Sequence, residues 1–347
     1  MSILVTGGLG FIGSHTTIEL LEAGYDVVII DNLSNSSKEI KNKIETITKK
    51  QVKTYYIDLL EKAALKQIFM RHHIESVIHF AGYKAVGESV GQPLKYYINN
   101  IVGTLNLCQV MDEFKVYHLV FSSSATVYGA QTKLPLTEES SVKAINPYGK
   151  TKLFIEEILK DVSNSNHKWK VLLFRYFNPV GAHPSGKIGE FQNGKQHSLI
   201  AAIFQVLTGE LKYFKVFGGD YETKDGTCIR DYIHVDDLAK GHIAALKKID
   251  DLDQVETFNL GTGHGYSVLE VIKTFERVLG RKIPYQIKER RPGDIAISYS
   301  DPTKANEKLN WKTEKTLVDM CTDVLRWEIK QNRLPELMKV SSINAMK

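Results

Sequence analysis

Cysteine is scarce in this 347-residue chain, and the three present, Cys108, Cys228 and Cys321, lie far apart in sequence. They supply neither a disulfide framework nor a CxxC zinc pair, and no metal is expected. Small buried side chains are the simpler reading of all three, and their scarcity fits a reducing compartment. No run of about 18 apolar residues occurs, so no segment is expected to span a bilayer. No charged region precedes a signal-peptide core, because the amino terminus opens straight into a strand-like run. A soluble protein of the cytoplasm is therefore the starting expectation. A strong excess of charge of one sign is also missing: Lys plus Arg number 45 against 40 Asp plus Glu, a net charge of +5. That near-balance gives no electrostatic reason to expect a nucleic-acid partner. The lysine-rich stretch Lys38–Lys53 has no accompanying aromatic ladder and reads as a solvated helix face. What is present is ordinary globular composition, 43% apolar and 24% charged, which argues against a disordered chain. At roughly 150 residues per domain the length suits two domains, or one with an added lobe.

The first half alternates short apolar runs with longer amphipathic ones. Ser2–Thr6, Tyr25–Ile30, Val52–Ile57, Ser76–Phe80, Tyr117–Phe121 and Val171–Phe174 read as strands. Helical patterns lie between them at Gly13–Ala23, Ala63–Arg71, Tyr97–Glu113 and Tyr148–Asp161. Continuous apolar strands separated by helices imply an α/β fold with a doubly wound, Rossmann-like parallel sheet covered on both faces. After Asn178 the texture changes. Pro179–Gly194 reads as a long ordered loop, followed by helical runs at Leu199–Leu207, Asp236–Leu246 and Val268–Leu279 mixed with short β-like pieces at Phe214–Phe217 and Thr257–Leu260. The expected division is a cofactor domain over 1–178 and a smaller mixed α/β lobe over 179–338, some of it returning to the first domain. A loose tail at 339–347 completes the division.

The most specific early signal is Gly7-Gly8-Leu9-Gly10-Phe11-Ile12-Gly13, set between a strand and a helix. Glycines at Gly7, Gly10 and Gly13 let backbone N–H groups approach a pyrophosphate, and the helix amino terminus adds about half a positive charge. The next strand ends in Asp31, an acid placed to accept hydrogen bonds from both hydroxyls of an adenosine ribose. Asp31 is followed by Asn32, with no arginine nearby, which favours NAD over NADP because a 2′-phosphate would be repelled. Asp58, closing the third strand, can meet the adenine in the same way. Phe80-Ala81-Gly82 closes the fourth with residues small enough to admit the cofactor ribose.

Tyr148 and Lys152 stand four apart at the start of a helix and share one face. An ammonium beside a phenol favours tyrosinate and draws the phenol pKa down from about 10. A phenol tuned in this way takes a proton from a sugar alcohol while a nicotinamide takes the hydride. Ser124 lies at the carboxyl end of the strand before that helix, where ligands bind in an open α/β sheet.

The glycine turn, Ser124 and the Tyr148/Lys152 pair resemble the short-chain dehydrogenase/reductase superfamily in its extended, sugar-nucleotide branch. More narrowly, residues 1–335 resemble the UDP-glucose 4-epimerase family. The stretches that carry the likeness are Ala81–Ser89, Phe121–Gly129, Arg175–Pro179, Gly226–Val235 and Arg291-Pro292-Gly293-Asp294. The resemblance implies a resident NAD, with Tyr148 as base at the 4′-hydroxyl, Lys152 tuning it and binding the nicotinamide ribose, and Ser124 placing the sugar oxygen. Phe11, Ile12, Asp31, Asn32, Ile57, Asp58, Lys84, Asn99, Ser122 and Phe177 match positions that contact the cofactor. Lys84, Asn178, Ser198, Leu199, Lys215, Phe217, Arg230, Arg291, Asp294 and Ser298 match positions that hold the UDP-sugar. Guanidinium forks suit a diphosphate, which agrees with the two arginines.

The implied reaction is C4 epimerisation of UDP-hexoses through a 4-keto sugar that turns before the hydride returns. Two departures from the family pattern stand out. His197 and Ser198 replace a usual pair of asparagines, and Ser298 stands where members confined to glucose and galactose carry tyrosine. The small residue implies room for an N-acetyl group, hence UDP-GlcNAc/UDP-GalNAc as a further substrate pair, unless a neighbour such as Tyr299 refills the space. Nucleotide-sugar 4,6-dehydratases of the same fold carry an Asp-Glu pair where this chain has Ala125 and Thr126. A dehydrogenase that releases NADH, or a catalytically silent NAD-binding regulator, would share the same cofactor site. The family also implies a homodimer that pairs through the Tyr97–Glu113 and Tyr148–Asp161 helices.

Overall fold

Apolar runs that do not alternate must be buried on both faces, and a seven-stranded sheet with helices on each side provides that burial. In the computed structural model, which describes residues 1–131, 133–190, 198–291 and 293–333, the strands in chain order are β1 Ser2–Thr6, β2 Asp26–Ile30, β3 Lys53–Tyr55, β4 Ser76–His79, β5 His118–Ser124, β6 Lys170–Tyr176, β7 Asn178–Val180, β8 Phe214–Phe217, β9 Ile229–His234, β10 Val255–Leu260, β11 Gly265–Ser267, β12 Tyr285–Lys288 and β13 Ile297–Ser298. The main sheet runs β10-β6-β5-β4-β1-β2-β3, with every neighbouring pair parallel.

Successive residues of β1 serve opposite layers. Ile3 and Val5 pack with Ile18 and Leu20 of the Phe11–Glu22 helix. Leu4 faces the other way, in the layer of Leu107 and Met111 from the Gly103–Glu113 helix. The expected α/β, doubly wound architecture is thus present. Strand order reverses at β1, which lies between β2 and β4, and the chain segments leaving β1 and β4 diverge there. A crevice at the carboxyl ends of a parallel sheet opens at such a point.

The second half builds a separate apolar core around the helices Leu199–Leu207, Val268–Leu279 and Leu317–Lys330, with Phe204, Phe275 and Met320 at its centre. Its strands form two small sheets, one with β9 between β11 and β13 and joined by β7, the other of β8 and β12. β10 leaves this half and closes the main sheet beside β6. No helix among the described residues is long and apolar enough to cross a membrane.

The segment expected to be loop from Pro179 begins instead in a strand, because β7 finds a parallel partner in β9. Residues 191–197 of that segment lie outside the described residues, as do Pro292 and everything from 334 onward, including the tail expected to be loose. The Tyr97–Glu113 helix opens with a π-helical turn over Tyr97–Val102 before it becomes α-helical at Gly103. The lysine-rich stretch forms the Glu39–Thr48 helix, which buries only Ile40 and Ile44. All three cysteines are buried and unbonded.

Candidate active site

The glycine turn is shaped by what surrounds it. Gly7 has φ +68°, and a Cβ there would lie 2.8 Å from the Ala81 amide nitrogen, so glycine lets β1 and the segment leaving β4 nearly touch. A Cβ on Gly13 would collide with the Gly7 carbonyl, and one on Gly10 would lie 3.2 Å from it. The Phe11–Glu22 helix starts from Gly10 with no side chain capping its first turn, which leaves N–H donors facing the crevice for an anion.

Asp31 is buried at the end of β2. It accepts hydrogen bonds from the Leu9 amide (3.0 Å), the Leu33 amide (2.9 Å) and the Ser36 hydroxyl (2.7 Å). A carboxylate has about four acceptor sites, so capacity remains for a sugar hydroxyl. Asn32 Nδ2 donates to Asp58 Oδ2 at 2.8 Å, which brings the next two polar positions together; Ile57 precedes Asp58 and is half-buried. The Ala81 amide donates to Thr6 Oγ1 at 3.3 Å, and Gly82 passes close to the Asn100 side chain. Asn99 Nδ2 donates to Asn100 Oδ1 at 2.9 Å. Lys84 is bound elsewhere, its ammonium 2.9 Å from Glu190.

The residues expected to transfer the proton come together where β5 ends. The Pro147–Ser165 helix begins sharply because Asn146 caps the Gly149 amide at 2.8 Å and Pro147 occupies its first turn. This places Tyr148 and Lys152 on the face toward β5. The Tyr148 phenol faces Ser124, which acts to lower its pKa, and Ser124 Oγ accepts from the Thr126 amide (3.2 Å) and hydroxyl (3.0 Å). Lys152 is buried, and its Nζ donates to the Ser122 carbonyl at 2.6 Å and lies 4.8 Å from the Phe121 ring centroid.

One expectation is corrected here. Burial pushes the Tyr148 phenol above its ordinary value of 10, Ser124 opposing only part of the shift. The expected downward pull from Lys152 is not realised, because its ammonium is directed at the Ser122 carbonyl and desolvation dominates. Burial likewise pushes Lys152 down to about 8, with the Glu156 carboxylate acting against it.

The residues expected to hold the nucleotide lie on and around β8, β9 and β13. Arg230 Nη1 donates to the Ile229 carbonyl at 2.8 Å, and Nη2 lies 3.6 Å from Asp294. Arg291 stacks 3.9 Å above the Phe217 ring centroid, and Lys215 shares the Phe217 face of β8 by strand alternation. Ser298 is the register partner of Arg230 and is buried. Tyr299 turns to the other face, where its ring meets the open side of Gly265. Ser198 caps the Leu199–Leu207 helix through the Ala201 amide at 3.2 Å. Asn178 is exposed beside buried Phe177, and its strand aligns it with Tyr232 of β9. His197 lies outside the described residues.

A model of the "NAD dependent epimerase/dehydratase family" matches residues 3–261. The chain belongs to that family. Among its curated relatives, the UDP-glucose 4-epimerase of Bacillus subtilis is 53% identical over 328 residues, covering 94% of this chain and 97% of the relative. The crystal structure of UDP-glucose 4-epimerase from Bifidobacterium longum in complex with NAD+ and UDP superposes with TM-score 0.92 at 52% identity, covering 96% of this chain and all of that one. The UDP-Glc/GlcNAc 4-epimerase of Campylobacter jejuni superposes with TM-score 0.83 at 36% identity over 95% of this chain and 99% of that one.

Several residues around the site of this family member escaped sequence reasoning. Asn100 is buried and holds the segment after β4, accepting from the Tyr83 amide at 2.8 Å and donating to Thr151 Oγ1 at 3.1 Å. Glu190 pairs with Lys84. Asp231 accepts from Thr262 and Ser300, fastening the lobe to the segment after β10. Glu156 and Arg175 form a buried ion pair under Lys152. A signal for the last two was available: a lone arginine inside the apolar run Val171–Tyr176 needs a buried partner, and Glu156 follows Lys152 at i+4.

Proposed function

We propose that this protein is an NAD-dependent UDP-glucose 4-epimerase that interconverts UDP-glucose and UDP-galactose. The observation that carries the reading is the meeting of Ser124 at the end of β5 with Tyr148 and, one helical turn on, Lys152, beside a glycine cradle at the strand-order reversal. The cradle fits a dinucleotide, since glycine at Gly7 and Gly13 lets the turn close tightly on the segment leaving β4 and on its own backbone, and the helix that follows starts with uncapped N–H donors for a pyrophosphate. Gly7, Gly10, Phe11, Ile12 and Gly13 would hold the phosphates. Asp31, Asn32, Ile57 and Asp58 would hold the adenosine, with Phe80, Ala81, Gly82, Lys84, Asn99, Ser122, Lys152 and Phe177 toward the nicotinamide. The chemistry that bound NAD supplies is hydride acceptance and return at C4, across a 4-keto sugar that turns in between.

The rest is the work of the chain. Ser124 holds the sugar oxygen. Tyr148 takes the 4′-hydroxyl proton and later gives it back, a role for which its raised pKa in the free protein would have to fall, as a positively charged nicotinamide beside it would make it do. Arg230 and Arg291 clamp the diphosphate, with Asn178, Ser198, Leu199, Lys215, Phe217 and Asp294 around the rest of the UDP. Thr126 gives its hydroxyl to Ser124, and Ala125 beside it has no acid, so the pair needed for elimination is missing. Residues 1–178, with β10 and the helices Val235–Lys248 and Thr303–Leu309 that pack on them, would form the cofactor unit, and the rest of the described residues the UDP-sugar lobe.

Ser298 extends the reading to UDP-GlcNAc and UDP-GalNAc. It is small and faces away from Tyr299, whose ring is occupied against Gly265. A homodimer is part of the proposal, supported by apolar side chains left exposed near the two pairing helices: Leu94 at 73%, Ile98 at 53% and Phe154 at 45%. So is the cytoplasm, which suits three buried unbonded thiols.

Incubation with UDP-galactose and no added nucleotide tests the core reading. UDP-glucose is the expected product, and unchanged substrate rejects it. Sedimentation of the same sample is expected to give the dimer mass. UDP-GalNAc is also expected to be converted, and Ser298→Tyr to lose that activity while keeping the UDP-galactose reaction; equal rates of the variant on both would reject the role of Ser298.

A further inference from the structure

Directly beneath the Ser124, Tyr148 and Lys152 cluster lies an ion pair that the reaction as described leaves unused. Glu156 follows Lys152 by four residues, so Tyr148, Lys152 and Glu156 form one stripe along the Pro147–Ser165 helix. The Glu156 carboxylate is wholly buried, and Arg175, near the carboxyl end of its own β6 strand, is nearly so. Arg175 grips Glu156 with two bonds, Nε to Oε1 at 3.1 Å and Nη2 to Oε2 at 2.7 Å. Its remaining arm, Nη1, donates to the Tyr128 hydroxyl at 3.1 Å and the Glu138 carbonyl at 3.2 Å. Tyr128 in turn donates to Asn259 of β10 at 2.6 Å.

The link to the site is Ser123, whose hydroxyl donates to Glu156 Oε1. Ser123 stands between Ser122, whose carbonyl holds Lys152, and Ser124, which faces Tyr148. The strand end that carries both partners of the proton-transfer group is therefore tied to Glu156 at its central residue. A buried ion pair is weak evidence of a stabilising role, since apolar residues of similar volume often serve as well. Its placement, one turn below the lysine and bonded across to β5, is specific.

We propose that Glu156, clamped by Arg175, is a positioning residue for proton transfer: it fixes the Ser122–Ser124 strand end against the Tyr148/Lys152 helix face and sets a negative charge behind the Lys152 ammonium. The inference rests on the epimerase reading above. Its signature is electrostatic as well as steric, because removing a nearby negative charge favours the deprotonated forms of both Tyr148 and Lys152. Glu156 already counters part of the depression that burial imposes on Lys152.

Three variants separate the contributions. Glu156→Gln removes the charge and keeps the shape, but strands the buried Arg175, which can unfold the chain. Glu156→Gln combined with Arg175→Met removes both charges and avoids that hazard. Ser123→Ala cuts the tether and leaves the charges. The readouts are the pH dependence of kcat with UDP-galactose, KM, and the ultraviolet difference absorbance of the Tyr148 phenolate against a Tyr148→Phe background, which needs no turnover.

Both charge variants are expected to move the pH profile and the phenolate titration to lower pH, Glu156→Gln by roughly one unit and the double variant by less, because loss of the Arg175 cation offsets part of the loss of the carboxylate. Their kcat at neutral pH is expected to fall by up to about twofold, as a shift of that size leaves Lys152 only about half charged there, with KM within about twofold. Ser123→Ala is expected to lower kcat about threefold and leave the profile in place. A folded double variant whose profile and phenolate titration match the wild type overturns the proposal. Wild-type protein that leaves UDP-galactose unchanged would instead sink the epimerase reading, while the phenolate titration would still decide the role of Glu156.

Discussion

The two ends of the crevice are built by different means. At the cofactor end nearly every polar group is bonded to a neighbour before any ligand arrives: Asp31 accepts three bonds, Asn32 holds Asp58, and Ala81 bonds to Thr6. At the nucleotide end the charged groups are lightly held. Arg291 rests on a Phe217 ring, Lys215 and Asn178 are exposed, and Arg230 alone is anchored, by the Ile229 carbonyl, with Asp294 3.6 Å away. The difference fits the proposed chemistry. A resident group is best met by a rigid cradle that costs nothing to reorganise, and a substrate that enters and leaves on each turnover is better met by side chains that can close on it.

Changes at the two ends should therefore fail differently. The largest loss is expected at their meeting point. Tyr148→Phe should lower kcat by about 10³-fold, within the range for a positioned acid–base group, while UDP binding measured by calorimetry stays near wild type. Turnover close to normal in that variant would remove Tyr148 from the reaction. Gly13→Ala should be next, since its Cβ meets the Gly7 carbonyl. A fixed cradle cannot yield without cost, about 1–3 kcal/mol. The purified variant should melt several degrees lower and carry less NAD, whereas an adaptable cradle would leave both unchanged.

At the other end Arg291→Ala should raise KM for UDP-galactose by about 10- to 100-fold, the worth of a charge-assisted contact to phosphate. Melting temperature should move little, because Arg291 is exposed and its partner is a ring face. A large drop in melting temperature would show that this end is as rigid as the first. The smallest effect concerns Lys152, held down to about 8 by burial against an ordinary 10.5. The folded protein then releases this proton before the unfolded chain does, so stability should rise as pH climbs from 8 towards 10.5 and be lost as pH falls through 8. Lys152→Met should show a flatter rise in melting temperature over that window; equal slopes would place the charge outside the buried site.

Much of the cofactor end was readable because it is local in sequence. Strand, glycine turn, helix and second strand follow one another within residues 1–31, and each signal concerns backbone conformation or a cap. The lobe was harder to read for the opposite reason. β7 is a strand only because β9 lies beside it, and nothing in Asn178-Pro179-Val180 announces that partner. β10 joins β6 across some eighty residues. The Tyr148/Lys152 spacing correctly predicted a shared helix face but not where the ammonium points, which the Ser122 carbonyl on another element decides. Glu156 was equally visible at i+4, yet its meaning depends on Arg175 and Ser123, which only the fold brings to it.

The return of β10 to the main sheet has a mechanical consequence. The chain leaves the large sheet after Tyr176, comes back in the Val235–Lys248 helix that packs on it, leaves between Leu260 and Gly265, returns in the Thr303–Leu309 helix and leaves once more before Leu317. A lobe moored by five separate crossings cannot swing wide as one on a single linker can. Access to the crevice must then come from short segments giving way while the two halves keep station. The volume in which a sugar turns over is in that case nearly constant throughout the cycle.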